Sequence, residues 1–228
     1  MPTDSKETID ILIISDIHLG DKHTRCGEVY SILSKYEADK IILNGDILNG
    51  LHFNRLHTEH WKILSKLRKL TKDREVIWVH GNHDASAQIL SRLLGIKVCN
   101  KYVWKYGGKK YLAIHGHQFD RFMHNNAILS WLAFALYTQI KKIDKKEIVT
   151  KFIKKHSKTW HRNSLEVARG AIRFGRMLKV DVVICGHTHM VMADERNGVK
   201  YYNTGSWVEK PSAYIVLKNS ELDFIKDT

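Results

Sequence analysis

Hydrophobic residues along the chain gather in short β-branched runs, and each run stops at a small polar cluster. Ile11 to Ile14 leads into Ser15-Asp16, Ile41 to Leu43 into Asn44-Gly45-Asp46, and Val76 to Val79 into His80-Gly81-Asn82. Runs this short, bounded by turn residues, predict buried strands. Between them Glu28 to Tyr36 and Thr58 to Leu70 carry a helical pattern. In the second, Trp61, Leu64, Leu67 and Leu70 recur every three residues with lysines and arginines between them. Strands alternating with helices predict parallel crossovers. Ligands of such sheets collect at the carboxyl ends of the strands, where all three polar clusters fall.

The pattern then changes. Val98 to Tyr106 and Lys110 to Ile114 flank Gly107-Gly108, and a second turn signal stands at Asn197-Gly198, so both predict hairpins. Val180 to Ile184 leads into Cys185-Gly186-His187, and Ala213 to Leu217 supplies a late strand. A second half richer in antiparallel pairs than the parallel first half predicts two packed sheets in one α/β domain spanning 1–228. From Arg121 to Leu178 strand signals vanish and a helical insertion is expected. Its first part, Asn126 to Tyr137, is apolar on every face, which implies burial against the body or a cover over something greasy. Its next part, Lys141 to Lys158, is rich in lysine.

Composition narrows the classes. With 228 residues, 43% hydrophobic and 27% charged, the chain can bury one sizeable core. Lys and Arg number 37 against 24 Asp and Glu, a formal charge of +13 that favours anionic partners. Cys26, Cys99 and Cys185 are far apart and form no CxxC pair, so neither a disulfide framework nor a zinc ribbon is expected. The apolar run Ile9 to Ile14 is broken by Asp10 and is too short for a signal peptide. The nearly uncharged stretch Asn125 to Ile140 contains Asn, Ser, Thr and Gln and falls short of the roughly 20 apolar residues a bilayer span needs. A cytoplasmic protein without a transmembrane helix is therefore expected.

The candidate chemistry sits at the strand ends. Asp16-Ile17-His18 follows the first strand, and its i, i+2 spacing projects a carboxylate and an imidazole to one side. Gly45-Asp46 follows the second strand, Gly81-Asn82-His83-Asp84 the third, His115-Gly116 the hairpin strand, and Gly186-His187-Thr188-His189 the strand from Val180. Any one of these has a plainer reading as a turn, a cap or a satisfied histidine. Five strand ends carrying oxygen and nitrogen donors together point to a divalent metal site. Donors of this kind without thiolate suit Mn²⁺, Fe²⁺, Co²⁺ or Zn²⁺ better than Ca²⁺ or Mg²⁺, and Mn²⁺ is the expectation adopted here.

The ordered blocks D-x-H, G-D, G-N-H-D, H and G-H-x-H, covering about residues 9 to 208, resemble those of the calcineurin-like metallophosphoesterases. That resemblance implies a four-layer α/β/β/α sandwich holding two metal ions. It implies Asp16, His18 and His189 on one ion, Asn82, His115 and His187 on the other, and Asp46 bridging both. Two cations roughly 3.5–4 Å apart polarise a phosphoryl group and activate a water. It also implies that His83 assists the leaving oxygen as general acid. The position three after Asp46, often acidic in the family, is Asn49 here.

Within the superfamily, His115-Gly-His-Gln-Phe-Asp120 is similar to the H-G-D-E-F-D block of bacterial UDP-2,3-diacylglucosamine hydrolases. Asn203-Thr-Gly-Ser-Trp-Val-Glu209 is similar to their terminal loop, and they too carry a helical insertion. This resemblance implies cleavage of a lipid-linked nucleotide pyrophosphate to UMP and an acylated sugar phosphate. The apolar insertion would then line an acyl channel or lid, and its lysines would rest on an anionic membrane surface. In this chain His83 stands where the best-studied branch has arginine, and His117 replaces an aspartate, so another phosphoester is left open. A nuclease using the same centre, suited by the +13 charge, is the alternative enzyme. A protein-binding scaffold that has lost turnover is the alternative from another class.

Overall fold

The computed structural model describes residues 6–50, 53–120 and 158–227. Its first half runs β1 (Glu7–Ile14), α1 (Cys26–Lys35), β2 (Tyr36–Asn44), α2 (Thr58–Asp73), β3 (Glu75–Val79), α3 (Ala87–Leu94) and β4 (Lys97–Cys99). Then come β5 (Tyr102–Tyr106), β6 (Lys109–Ala113), α4 (Lys158–Met177), β7 (Val182–Cys185), β8 (Met192–Arg196), β9 (Val199–Asn203), β10 (Ser212–Lys218) and β11 (Glu221–Asp227). One sheet has the order β11-β10-β1-β2-β3-β4, the other β5-β6-β7-β9-β8. Strands β1 to β4 are mutually parallel, as are β6, β7 and β9, while β10, β11, β5 and β8 join antiparallel.

Period-two alternation divides the strands between three cores. Leu12, Ile14, Leu43 and Trp78 pack with Val29, Leu33, Ile63, Leu67 and Leu90 of the first three helices. Their neighbours Ile11, Ile13, Ile42 and Ile77 face Tyr111, Ala113, Val182 and Ile184 of the second sheet. On the far side Leu112, Ile114, Val183 and Cys185 meet Ala168, Ala171 and Ile172 of α4. The layers are thus α/β/β/α, as expected. The three cysteines are free. Among the described residues no helix is long and apolar enough to cross a membrane.

Two boundaries differ from the sequence expectation. The run Val98 to Tyr106 divides into β4 and β5, which belong to different sheets. The residues 98–106 read as one strand signal, and nothing in that pattern reveals that the chain leaves one sheet for the other at Asn100-Lys101. The helix expected to reach Tyr36 ends at Lys35 and passes directly into β2. Tyr36 is buried there, its hydroxyl 3.2 Å from that of Tyr214, so tertiary contact overrides the helical pattern. Of the expected insertion, 121–157 lies outside the described residues, including the apolar segment 126–137, and its last part forms α4 on the outer face of the second sheet.

Asp84 ties together the two loops that follow β2 and β3. Its carboxylate accepts the backbone N–H of Asp46, Ile47 and Leu48, each at 3.0 Å, the N–H of Gly81 at 2.9 Å and the indole N–H of Trp78 at 2.9 Å. Removing the acceptor strands these partly buried donors, each at a cost of roughly 1–3 kcal/mol. The expected result for Asp84→Ala is a loss of about 3 kcal/mol or more of unfolding free energy. Urea denaturation checks it, and a midpoint within error of wild type would refute it.

Candidate metal centre

The carboxyl ends of the strands converge on one cluster because both sheets end there together. Asn44, the last residue of β2, donates its side-chain amide to the Ile184 carbonyl of β7 at 3.1 Å, pinning one sheet to the other beside the site. The loops are cross-laced by Asp16 N–H to the Gly45 carbonyl and His18 N–H to the Asp46 carbonyl, both 2.9 Å. Asp16, His18, Asp46, His187 and His189 all have left-handed backbone, with φ between 49° and 68°. Such conformations are uncommon for residues with a Cβ and persist only where the surroundings over-determine them. Close approach accounts for block glycines, among them Gly186, Gly45 and Gly81; a Cβ at Gly81 would meet Asp46. A Cβ at Gly186 would collide with the Asp16 carboxylate, and one at Gly45 with the His115 imidazole.

The structure gathers the expected residues into two groups. Asp16, His18 and His189 present donor atoms within 4.8 Å of one another, as do Asp16, Asp46 and His115. His18 Nε2 lies 3.0 Å from His189 Nε2, 3.9 Å from Asp16 Oδ1 and 3.8 Å from Asp46 Oδ2. The same Asp46 oxygen is 3.2 Å from His115 Nε2, so it stands between the two histidine groups. Asn82 and His187 meet each other, Oδ1 to Nδ1 at 3.1 Å, and the His187 ring centroid is 5.5 Å from that of His115. His83 donates its backbone N–H to Asp46 Oδ1 at 2.8 Å, and its ring is 5.2 Å from that of His18. Asp16, His18, Asp46 and His115 are buried, whereas His83, His187 and His189 are half-buried and Asn82 is exposed. The cluster has a closed floor and one open side.

Burial, opposed by His115 and reinforced by Asp46, pushes the Asp16 carboxyl up to about 7. Burial would lower His115, but Asp46 and Asp16 outweigh it and raise the imidazole to about 10. Burial would likewise raise Asp46, yet His115 and His18 hold it well below the usual carboxylate range. His18 is driven well below the usual imidazole range by burial and by His189. His117, its ring 5.5 Å from that of His115, is lowered to about 4 by burial and by His115 and His187.

This donor set fits divalent cations. His115 Nδ1 lies 3.0 Å from the Asn44 carbonyl, while its buried Nε2 points at Asp46 without completing a hydrogen bond. An imidazole held by one nitrogen and aimed by the other into two carboxylates is a ligand arrangement. Asn44, Asp84, Asp120 and Glu209 join the site in the fold although no sequence expectation placed them there. Asp84, Asp120 and Glu209 each close a block singled out in the sequence, and that terminal position is the signal by which they could be found. Arg25 is paired with Asp227 at 2.5 Å and lies over the Trp207 ring.

The sequence profile of the calcineurin-like phosphoesterases matches residues 9–191. Vps29 from Chaetomium thermophilum superposes with a TM-score of 0.52 at 12% identity, over 96% of this chain and 97% of that one. Vps29 from Cryptosporidium parvum gives 0.50 at 15% identity, over 96% and 97%. These likenesses concern the fold, and they agree with the two-sheet sandwich. No curated protein is detectably similar in sequence.

Ligands must lose their protons to bind a cation. The Asp46 and Asp16 carboxylates favour a proton on His115, and burial favours one on Asp16. Uptake of Mn²⁺ or Zn²⁺ is therefore expected to release protons, and affinity to weaken as pH falls from 8 to 6. Calorimetry in buffers of different ionisation enthalpy checks this; a buffer-independent heat would contradict it.

Proposed function

The chain belongs to the calcineurin-like phosphoesterase family, and on that premise we propose that the cluster holds two divalent ions, Mn²⁺ by preference, and hydrolyses a phosphoester. The observation that carries this reading is Asp46 Oδ2 standing 3.8 Å from His18 Nε2 and 3.2 Å from His115 Nε2, between two donor groups. Asp16, His18 and His189 would hold one ion, Asn82, His115 and His187 the other, with Asp46 shared. Ions bound there would polarise the phosphoryl oxygens and lower the pKa of a water. Asp46 is kept ionised by its histidines and so is ready to bridge without first losing a proton. Half-buried His83 lies on the open side with its backbone tied to Asp46, which fits it to give a proton to the leaving oxygen.

We take the substrate to be a lipid-linked nucleotide pyrophosphate of the UDP-2,3-diacylglucosamine type, handled at an anionic membrane surface. The blocks His115 to Asp120 and Asn203 to Glu209 support it, as does the charge of +13. The same charge supports a second reading as a nucleic-acid phosphodiesterase, since one centre serves both bonds.

Mn²⁺-loaded protein incubated with UDP-2,3-diacylglucosamine in detergent, beside bis-p-nitrophenyl phosphate, is expected to release UMP. Hydrolysis of the synthetic diester alone would overturn the lipid assignment and move the search to nucleotides and nucleic acid. No turnover with any metal would overturn the enzyme and leave a binding scaffold. Asp46→Ala is expected to abolish activity and lower metal content. His83→Ala should slow turnover roughly 10²–10⁴-fold while both ions stay bound; loss of the ions would move His83 into the metal shell.

A further inference from the structure

Two carboxylates behind the cluster remain without a role, and each touches a different histidine of the G-H-T-H loop. His187 turns Nδ1 toward Asn82 and places Nε2 2.9 Å from Asp120 Oδ2. His189 does the reverse: Nε2 faces His18 and Asp16, and Nδ1 lies 3.3 Å from Glu209 Oε1. We propose that Asp120 and Glu209 are positioning residues, each dedicated to one of the two metal ions through the histidine it holds. The assignment rests on the two-ion reading above.

A carboxylate accepting the N–H of one imidazole nitrogen fixes the tautomer and leaves the other nitrogen's lone pair for a cation. Asp120 thereby commits His187 to bind through Nδ1, and Glu209 commits His189 to bind through Nε2. Neither carboxylate competes for the metal, because each lies on the far side of its ring.

Both are themselves held. Asp120 is 4% exposed, and its Oδ2 also accepts the side-chain amide of Asn163 on α4 at 3.0 Å. One turn earlier on α4, Trp160 donates its indole N–H to the Thr188 carbonyl at 2.9 Å, fastening the helix to the loop between the two histidines. Glu209 is placed through its backbone, whose carbonyl accepts from Ser212 Oγ at 3.1 Å and from Arg25 Nη2 at 3.4 Å. The two supports come from different parts of the fold, α4 on one side and the β9–β10 connection with Arg25, the residue just before α1, on the other. The two ion positions are therefore tuned by separate parts of the fold.

The test measures binding as well as turnover. Co²⁺ and Zn²⁺ titrations with metal analysis on full-length protein should give two ions for wild type. Asp120→Ala is expected to weaken one ion 10–100-fold and spare the other, Glu209→Ala to do the converse, and the two single variants to leave different Co²⁺ absorption spectra. Asp120→Asn and Glu209→Gln, which keep an oxygen facing the ring, should recover part of the lost affinity. They also decide the matter if an alanine variant does not fold. Imidazole ¹⁵N spectra of the Zn²⁺-loaded protein should show His187 bound through Nδ1 and His189 through Nε2. Two ions bound at wild-type affinity in a folded Asp120 or Glu209 variant, or the opposite nitrogens on zinc, would overturn the pairing alone. A wild type that binds fewer than two ions would overturn the two-ion reading and this assignment with it.

Discussion

The structure depends on keeping two carboxylates, Asp16 and Asp46, within a few ångströms of each other in a buried place. Like charges so close and so poorly solvated repel, and burial alone disfavours ionisation of both. The side chains themselves meet part of this by dividing the load. Asp46 stays ionised against a protonated His115, and Asp16 takes up much of the remaining proton demand with its carboxyl near 7. A pair of divalent cations would meet the same constraint more completely, since each adds two positive charges where the donors converge.

Holding that cluster requires backbone the chain would not adopt alone. Left-handed φ angles at Asp16, His18, Asp46, His187 and His189 cost on the order of 1–3 kcal/mol each. Offsetting them are the interloop hydrogen bonds from Asp16 and His18 to the β2 loop and from Trp207 N–H to the Asp16 carbonyl. Asp84 adds five acceptor contacts behind the same loops. The three apolar cores supply the stability against which this strain is drawn, and they place the carboxyl ends of both parallel strand sets at one edge of the sandwich.

The site's asymmetry follows from the layers. The floor of Asp16, His18, Asp46 and His115 arises from strand ends enclosed by both sheets, while Asn82, His83, His187 and His189 come from loops at the open side. The shared carboxylate Asp46 and its nearest donors are buried, and the donors from the loops are accessible. That division suits a centre in which the ions stay while phosphoesters come and go.

Much of this was legible in the residues themselves. Short β-branched runs ending in polar clusters marked the strands, while the four layers were expected only from the resemblance of the ordered blocks. The donor types of Asp16, His18, Asp46, Asn82, His115, His187 and His189 were visible because oxygen and nitrogen donors recur at successive strand ends. What the sequence could not contain was adjacency across long separations. Only the folded chain brings Asp120 to His187, Glu209 to His189 and Asn44 to Ile184, and only it sends β4 and β5 to different sheets. A one-dimensional pattern records which face a residue prefers, whereas the partner on that face is chosen by packing the whole chain at once.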